Sequence, residues 1–519
     1  MSADSRTPAV PFTTEDLVRI RSALEALPEV AEAQVFLITE GGQVAPAALV
    51  CGVGAASTNG GTAPPVSPLP PESPLPAEAV ARTRPLRDAH AVPDCLASMD
   101  HAALLAMAHT LHRAGLFGDD RSYSTGEILS ALGAAPRHHW IVRRWLAALT
   151  REGMLRSEAG EHHGLRPVSR PELAAAMRNL EAGRRGMGYP AAMGRFFQTA
   201  LRSLPHLVRD EISLQSLLFP GGETGTAQGN YRDNLVSRHL NALAATAVAT
   251  ASWARDAQGR LRVLEIGAGV GATTELVLDA LAHVPLDYLF TDVSGFFLDA
   301  ARERFGHVPG MRYALLDINA GMSAQLSSAR SSSARLSSAR LSSAQCGGEA
   351  PFDIVLAANV LHNARHTGRT LASLRDLLAP GGTLVLLESC IEHHLVSTSM
   401  HFLMSPRAEE PLTGFADLRE GQDRVFLTRA EWLRQLAAVG FRDVRVRPDP
   451  DDPLAAAGQY VFSAVRGEGA HRPDPGSLLA AAAERLPLHL ALREIQSVDA
   501  LPGPDPGMAT SPCRRPGAR

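Results

Sequence analysis

The stretch VLEIGAGVGATTELVL, residues 263–278, narrows what this chain folds into more than any other. It begins as an apolar run of strand length and ends with apolar residues at helical spacing, and Gly267, Gly269 and Gly271 lie between. Glycine lets the backbone turn tightly from a buried strand into a helix, and lets a ligand approach the main chain closely. A glycine turn alone is weak evidence. Here it opens a regular alternation that runs from about 260 to 466: strand-like DYLFTDVS, helical GFFLDAARERFG, then strand-like RYALLDIN and FDIVLAANVL. Helical TLASLRDLLAP, the strand GTLVLLES, helical RAEWLRQLAAVG and a closing pair, RDVRVRP and QYVFSAVR, complete it. Strands alternating with helices in this way predict an α/β, doubly wound sheet of Rossmann-like type.

The rest of the chain divides by composition. Residues 1–52 read as a helix followed by strands, and 53–97 as a Pro/Ala-rich linker (APPVSPLPPESPLP). Residues 98–185 carry successive amphipathic helical segments in an order that resembles a winged helix, and 186–250 continue as a helical lid broken by FPGGETG. Residues 251–467 hold the α/β domain, in which 323–348 repeat a small polar unit (LSSAR) with too little apolar area to offset the entropy of ordering. Residues 468–519 return to Pro-rich sequence with one helical patch and a tail expected to be disordered.

Composition excludes several classes. The net charge of −4 gives no electrostatic case for nucleic acid or an anionic membrane. No apolar run approaches the roughly 20 residues that span a bilayer. The five cysteines are scattered without a CxxC, which fits a reducing cytoplasm and argues against a disulfide framework or a cysteine-rich zinc site. No lysine occurs: all 50 basic residues are arginine, so no mechanism that needs a lysine amine is open to this chain.

Glu265, just before the glycines, and Asp292, at the end of the next strand, add to the turn; Asp292 is placed to meet a ribose diol. A turn with no ligand and a nicotinamide-binding unit are the competing readings. LEIGAGVG resembles motif I of class I S-adenosylmethionine (SAM)-dependent methyltransferases, FTDVS their second motif and LLDIN their third. The resemblance covers about 186–466. It implies a seven-stranded methyltransferase sheet, SAM as cofactor and no metal. Its cofactor contacts carry over to Glu265, Gly267, Gly269, Gly271, Asp292, Val293, Asp317, Ile318 and Asn359. Phe296 and Phe297 are candidates to flank the adenine, or to be helix core.

His362 follows the fourth strand and Glu388 ends the fifth, both at the carboxyl edge where doubly wound sheets bind ligands. A carboxylate on one ring nitrogen fixes the tautomer and raises the basicity of the other. NVLHNAR followed by LLAPGGTLVLLE, with the lid-like LLFPGGETGTAQGNYRDN before it and FADLREGQDRVFLTRAEWLRQLAAVGF after it, resembles the C-methyltransferase domains of polyketide and hybrid peptide synthetases. That resemblance implies a His362–Glu388 base dyad, with Tyr231 in the lid orienting substrate. A helix-capping histidine is the plainer alternative. His393, His394 and His401 fall in the insertion that should cover the pocket, and none has the spacing of a metal ligand.

The two ends resemble the halves of the small C-terminal subdomain of peptide-synthetase adenylation domains. The N-terminal LVRIRSALEALPEVAEAQVFLITEGGQVAPAALV matches the first half and LLAAAAERLPLHLALREIQSVDALP the second, without the family's catalytic lysine. The whole is expected to be a cytoplasmic SAM-dependent methyltransferase inserted in such a remnant. It would act on an intermediate tethered to a carrier protein, at carbon, with N- or O-methylation, epimerisation or a docking role as alternatives; a synthetase subunit is a further expected partner.

Overall fold

In the computed structural model the described residues are 12–27, 30–40, 43–52, 89–255, 259–327, 351–406, 414–467, 475–487, 490–492 and 494–498. The linker from 53 to 88, the repeat from 328 to 348 and the tail from 499 lie outside them.

The two ends of the chain meet. Helix α1 (Thr14–Glu25) begins with a capping box in which Thr13 and Asp16 exchange hydrogen bonds, and packs on strand β1 (Val30–Glu40). Strand β2 (Gln43–Gly52) runs antiparallel to β1, and β13 (Glu494–Val498), from the far end of the chain, adds parallel to β2. Ile20, Leu24, Val30 and Val50 from the first piece share a core with Leu478, Leu490 and Ile495 from the last. One small α+β unit is therefore built from both termini, and everything between is inserted into it.

The helical region begins with α2 (Val92–Arg113), entered through a 3-10 turn at Ala89–Ala91, and continues with α3 (Thr125–Leu132), α4 (His139–Arg151) and α5 (Arg170–Gly186). A small sheet in the order β3 (Tyr123–Ser124), β5 (Glu161–His163), β4 (Arg156–Glu158) lies beside α3 and α4, a winged-helix-like arrangement. Helix begins before the expected linker end at 97: Pro93 sits in the first turn of α2, where it has no hydrogen bond to lose and starts the helix. The helical run across the expected lid end at 250 is continuous. After α6 (Ala191–Arg202) and α7 (Gly225–Tyr231), helix α8 (Leu235–Trp253) packs on the sheet and on helix α9 (Ala272–Ala280), with the α/β domain.

The large sheet has seven strands in the order β11-β12-β10-β9-β6-β7-β8. Strands β6 (Leu261–Ile266), β7 (Leu286–Asp292), β8 (Met311–Leu315), β9 (Phe352–Ala358) and β10 (Leu378–Ser389) are parallel. Strand β12 (Gln459–Arg466) runs antiparallel to β10, and β11 (Phe441–Arg447) antiparallel to β12. The central strands are buried on both faces, which is why they read as continuous apolar runs rather than alternating ones. Helices α9, α10 (Gly295–Phe305), α11 (Thr367–Leu377) and α12 (Arg429–Ala438) complete the layers. The strand order reverses between β6 and β9, which opens the crevice at their carboxyl ends. Among the described residues no helix is long and apolar enough to cross a membrane.

Candidate active site

The glycine turn sits at the β6 end of that crevice. Gly267, Gly269 and Gly271 all have positive φ, at 58°, 54° and 68°. At Gly267 a Cβ would drive into Val360 Cγ2, so β6 and the turn after β9 can lie this close only because the side chain is absent. At Gly269 the space above the backbone is open, which leaves the main chain approachable. The Gly269 N–H donates to Asp292 Oδ2 at 3.0 Å, and the Ser294 N–H to Oδ1 at 2.8 Å. Asp292 is thus pinned at the end of β7 with its carboxyl pushed up by burial, against the pull of those N–H groups.

Glu265 is turned inward. Its Oε2 accepts from Thr274 Oγ1 at 2.8 Å and Tyr288 Oη at 2.7 Å, and burial raises its pKa to about 7. These two hydroxyls on one carboxyl oxygen tie β6, β7 and α9 together beneath the turn. Val293, by contrast, is 62% exposed at the rim of the crevice. Asp317 Oδ1 accepts from the Asn319 N–H at 2.8 Å, while Ile318 is partly buried against the core beneath the sheet. Asn359, directly after β9, adopts φ 55° and donates its N–H to the Leu387 carbonyl at 2.7 Å. A non-glycine residue held in the left-handed region is a marker of a functional turn.

These residues suit SAM. Gly269 offers open backbone, Asp292 carries two oxygens that each keep a lone pair for a ribose hydroxyl, and Val293 gives an apolar rim for an adenine. Beside Gly269 and Val270 lies a cavity of about 170 Å³, walled on the other side by Thr224 and Gln228 of the lid and by Phe297 and Arg304 of α10. Phe296 and Phe297 form an aromatic cluster with Phe219 of the lid, with centroid separations of 6.5 and 5.9 Å.

His362 lies in a 3-10 turn, Leu361–Asn363, that follows β9. Its Nδ1 is 2.8 Å from Glu388 Oε2. The other carboxylate oxygen accepts from the Val360 and Leu361 N–H groups at 3.0 and 2.7 Å. Both side chains are buried, Glu388 completely. Because a carboxylate only accepts, Nδ1 carries the proton and Nε2 presents its lone pair. Sequence reading therefore named two residues that the fold brings into contact. Tyr231 ends α7, packed on the large core, and burial pushes its hydroxyl up to about 12. No described contact joins it to the dyad.

Two residues at the dyad are not singled out as site residues by the sequence, although the stretch that holds them shares the family resemblance. Arg419, fully buried, pairs with Asp417 at 2.7 Å and donates to the carbonyls of His362, Ala364 and Val425 at 2.7, 2.7 and 2.8 Å. Asp417 also accepts from Thr367 N–H and Oγ1, each at 2.9 Å. The pair clamps the turn of the histidine from its carbonyl side. Both lie in FADLREGQ, the start of the stretch that resembles the C-methyltransferase domains after the fifth strand. His393 and His394 are spent on Asp100 (2.8 Å) and Glu152 (3.3 Å), contacts that tie the segment after β10 to the helical domain. Among the described residues no group of three or more histidine, cysteine or acidic side chains gathers to hold a metal. The terminal unit touches the same region: His366, which caps α11, bonds to the Glu25 carbonyl, and Arg369 pairs with the Glu25 carboxylate at 3.1 Å.

Residues 264–384 match the family model described as a methyltransferase domain. The pyochelin synthetase PchF of Pseudomonas aeruginosa is 31% identical over 417 residues, which span 78% of this chain and 21% of that protein. Polyketide synthase ThaG of Burkholderia thailandensis is 33% identical over 268 residues, 50% of this chain and 4% of that protein. The chain thus spans about a fifth or less of these curated relatives. Among solved structures, the CurJ carbon methyltransferase superposes with a TM-score of 0.61 at 24% identity, covering 76% of this chain and 97% of that one. The DszA carbon methyltransferase gives 0.61 at 23%, covering 77% and 98%. These superpositions establish the fold.

Proposed function

We propose that this chain, which carries a SAM-dependent methyltransferase domain, methylates a carbon of an acyl or peptidyl intermediate tethered to a carrier protein, with His362 as the base. The observation that carries this reading is the buried His362–Glu388 pair, set at the carboxyl edge of the sheet one strand from the glycine turn. The names of the sequence relatives, a pyochelin synthetase and polyketide synthases, support an assembly-line setting.

Bound SAM supplies an electrophilic methyl group that needs no further activation. What the chain must add is alignment of the acceptor with that methyl, and removal of a proton where the acceptor is weakly acidic. A carbon next to a thioester carbonyl is such an acceptor; an amine is not. The pair fits the harder task. Glu388, fixed by two backbone N–H groups, holds His362 in the Nδ1–H tautomer and stabilises the imidazolium that forms when Nε2 takes the proton. Arg419 holds the backbone of the same turn, so ring and main chain are fixed independently. The aromatic contact between Phe219 and Phe297 ties the segment before α7 to α10 beside the cavity at Gly269.

The test is incubation with SAM and acyl- or peptidyl-loaded carrier proteins, read by intact mass and by fragmentation of the released acyl group. The expected result is a gain of one methyl at the carbon next to the carbonyl, lost in His362→Ala. Methylation of a free small molecule with no carrier-bound acceptor would sink the tethered reading. A methyl found on nitrogen or oxygen would sink the carbon assignment.

A further inference from the structure

The end of β10 and the segment that follows it use the same arrangement twice. Glu388 accepts two consecutive backbone N–H groups with one oxygen and meets a histidine with the other. Four residues on, Glu392 does likewise. Its Oε1 accepts from the Val425 and Phe426 N–H groups at 2.6 and 2.9 Å, and its Oε2 lies 3.6 Å from His401 Nε2. Arg144, from α4, closes the cluster at 2.6 Å from that second oxygen.

His401 is wholly buried, and among the described residues neither of its ring nitrogens has a hydrogen-bond partner. A buried polar group left in this state is costly and calls for a reason. Its ring lies between Trp140, 4.9 Å away, and Phe426, 6.0 Å away. Phe426 in turn stands against His362, with centroids 5.2 Å apart and planes at 85°. The ring of the base histidine is thus flanked by Phe426, whose backbone Glu392 fixes and whose ring also meets His401. Burial, then the positive charge of Arg144 and that of His362 once it has taken a proton, hold His401 well below the ordinary imidazole value. A neutral ring in this place adds no second cation to hinder proton uptake by His362.

We propose that Glu392 and His401 are a positioning pair for His362: they hold Phe426 against its ring and so set the line along which Nε2 meets the acceptor. The inference rests on the reading of His362 as the base. It links the helical domain, through Arg144 and Trp140, to the orientation of that base.

The experiment compares Glu392→Ala, Glu392→Gln and Phe426→Leu with wild type in the full chain, by two readouts. One is kcat with a loaded carrier, beside the Kd for SAM. The other is histidine-selective nitrogen NMR, with the His362 signals assigned from His362→Gln, whose line widths report how rigidly the ring is held whatever atom is methylated. Glu392→Ala and Phe426→Leu are expected to lower kcat at least tenfold, leave the SAM Kd within twofold, keep the Nδ1–H tautomer that Glu388 sets, and broaden the His362 signals as the ring loosens. Glu392→Gln keeps an acceptor for both N–H groups and is expected to stay within threefold of wild type. Should Glu392→Ala fail to fold, Phe426→Leu, which leaves every Glu392 hydrogen bond in place, carries the test. His362 signals as sharp as in wild type in Phe426→Leu overturn the proposal even if the acceptor proves not to be carbon. Loss of carrier methylation in wild type itself overturns only the reading of the reaction.

Discussion

Arg419 donates a hydrogen bond of 2.7 Å to the backbone carbonyl of His362, from a side chain with no exposure to solvent. A buried guanidinium is stable only when its charge and all its N–H groups are matched, and here Asp417 and four oxygens do so. Removing one partner leaves the other charge buried and alone. Arg419→Ala is therefore expected to destabilise the protein by about 3–5 kcal/mol. Replacing both residues with apolar ones of similar size, Asp417→Leu with Arg419→Met, is expected to cost less than the single change. Chemical denaturation of the two variants beside wild type checks this; equal losses in the single and the double variant would deny the pair its clamping role.

Glu388→Gln separates chemistry from folding. The amide oxygen still accepts from the Val360 and Leu361 N–H groups, so the turn stays formed. The amide NH2 then faces His362 Nδ1 and donates to it, which moves the ring proton to Nε2 and removes the base. Loss of the correct tautomer in a comparable triad costs about 10⁴ in rate. A fall in kcat of about 10²–10⁴ is expected, with Tm within a few degrees of wild type. Glu388→Ala is expected to lower both, because two buried N–H groups lose their acceptor at about 1–3 kcal/mol each. A Glu388→Gln enzyme of full activity would remove the dyad from the reaction.

Gly267 and Gly269 share a left-handed backbone but differ in what a side chain would meet. An alanine at either strains φ by about 1–2 kcal/mol. At Gly267 its methyl also strikes Val360, while at Gly269 it points into open space. Gly267→Ala is expected to lose stability beyond the strain, and Val360→Ala to restore part of it in the double variant. Gly269→Ala is expected to fold but to weaken SAM binding by tenfold or more. Thermal melts and calorimetric titration with SAM distinguish the two; unchanged SAM affinity in Gly269→Ala would place the cofactor elsewhere.

Some of this was legible from residues and some was not. The order of strands and the glycine turn follow from buried parallel strands and from backbone conformations that only glycine takes easily, so both leave a local trace in sequence. His362 and Glu388 were found because each stands at the end of a strand, and parallel strands bring their ends to one edge. Asp417, Arg419 and Glu392 lie in stretches marked by the family resemblance or expected over the pocket, but their burial and pairing depend on contacts between segments far apart, which no local pattern encodes. Glu265 was legible as a residue of the turn but not as one facing inward, because the hydroxyls that claim it, Thr274 and Tyr288, come from a helix and a neighbouring strand. The expected boundary at 250 has no local mark for a related reason: α8 is helical like the lid before it, and only its packing on the sheet sets it with the α/β domain.

That inward turn of Glu265 has a consequence in pH. Burial raises its pKa to about 7, from an ordinary 4.5 in the unfolded chain. Between those values the folded state binds the proton and the unfolded state does not, so stability falls as pH rises through the window. The contribution is complete below about 4.5 and gone above about 7, and amounts to about 3 kcal/mol at one pKa unit per 1.36 kcal/mol. Glu265→Gln keeps an oxygen for Thr274 and Tyr288 and has nothing to ionise. Its stability relative to wild type is therefore expected to improve by about 3 kcal/mol from pH 5 to pH 8, measured by urea denaturation across that range. A constant difference between the two proteins would mean that Glu265 stays charged in its pocket, held by its two hydroxyl donors.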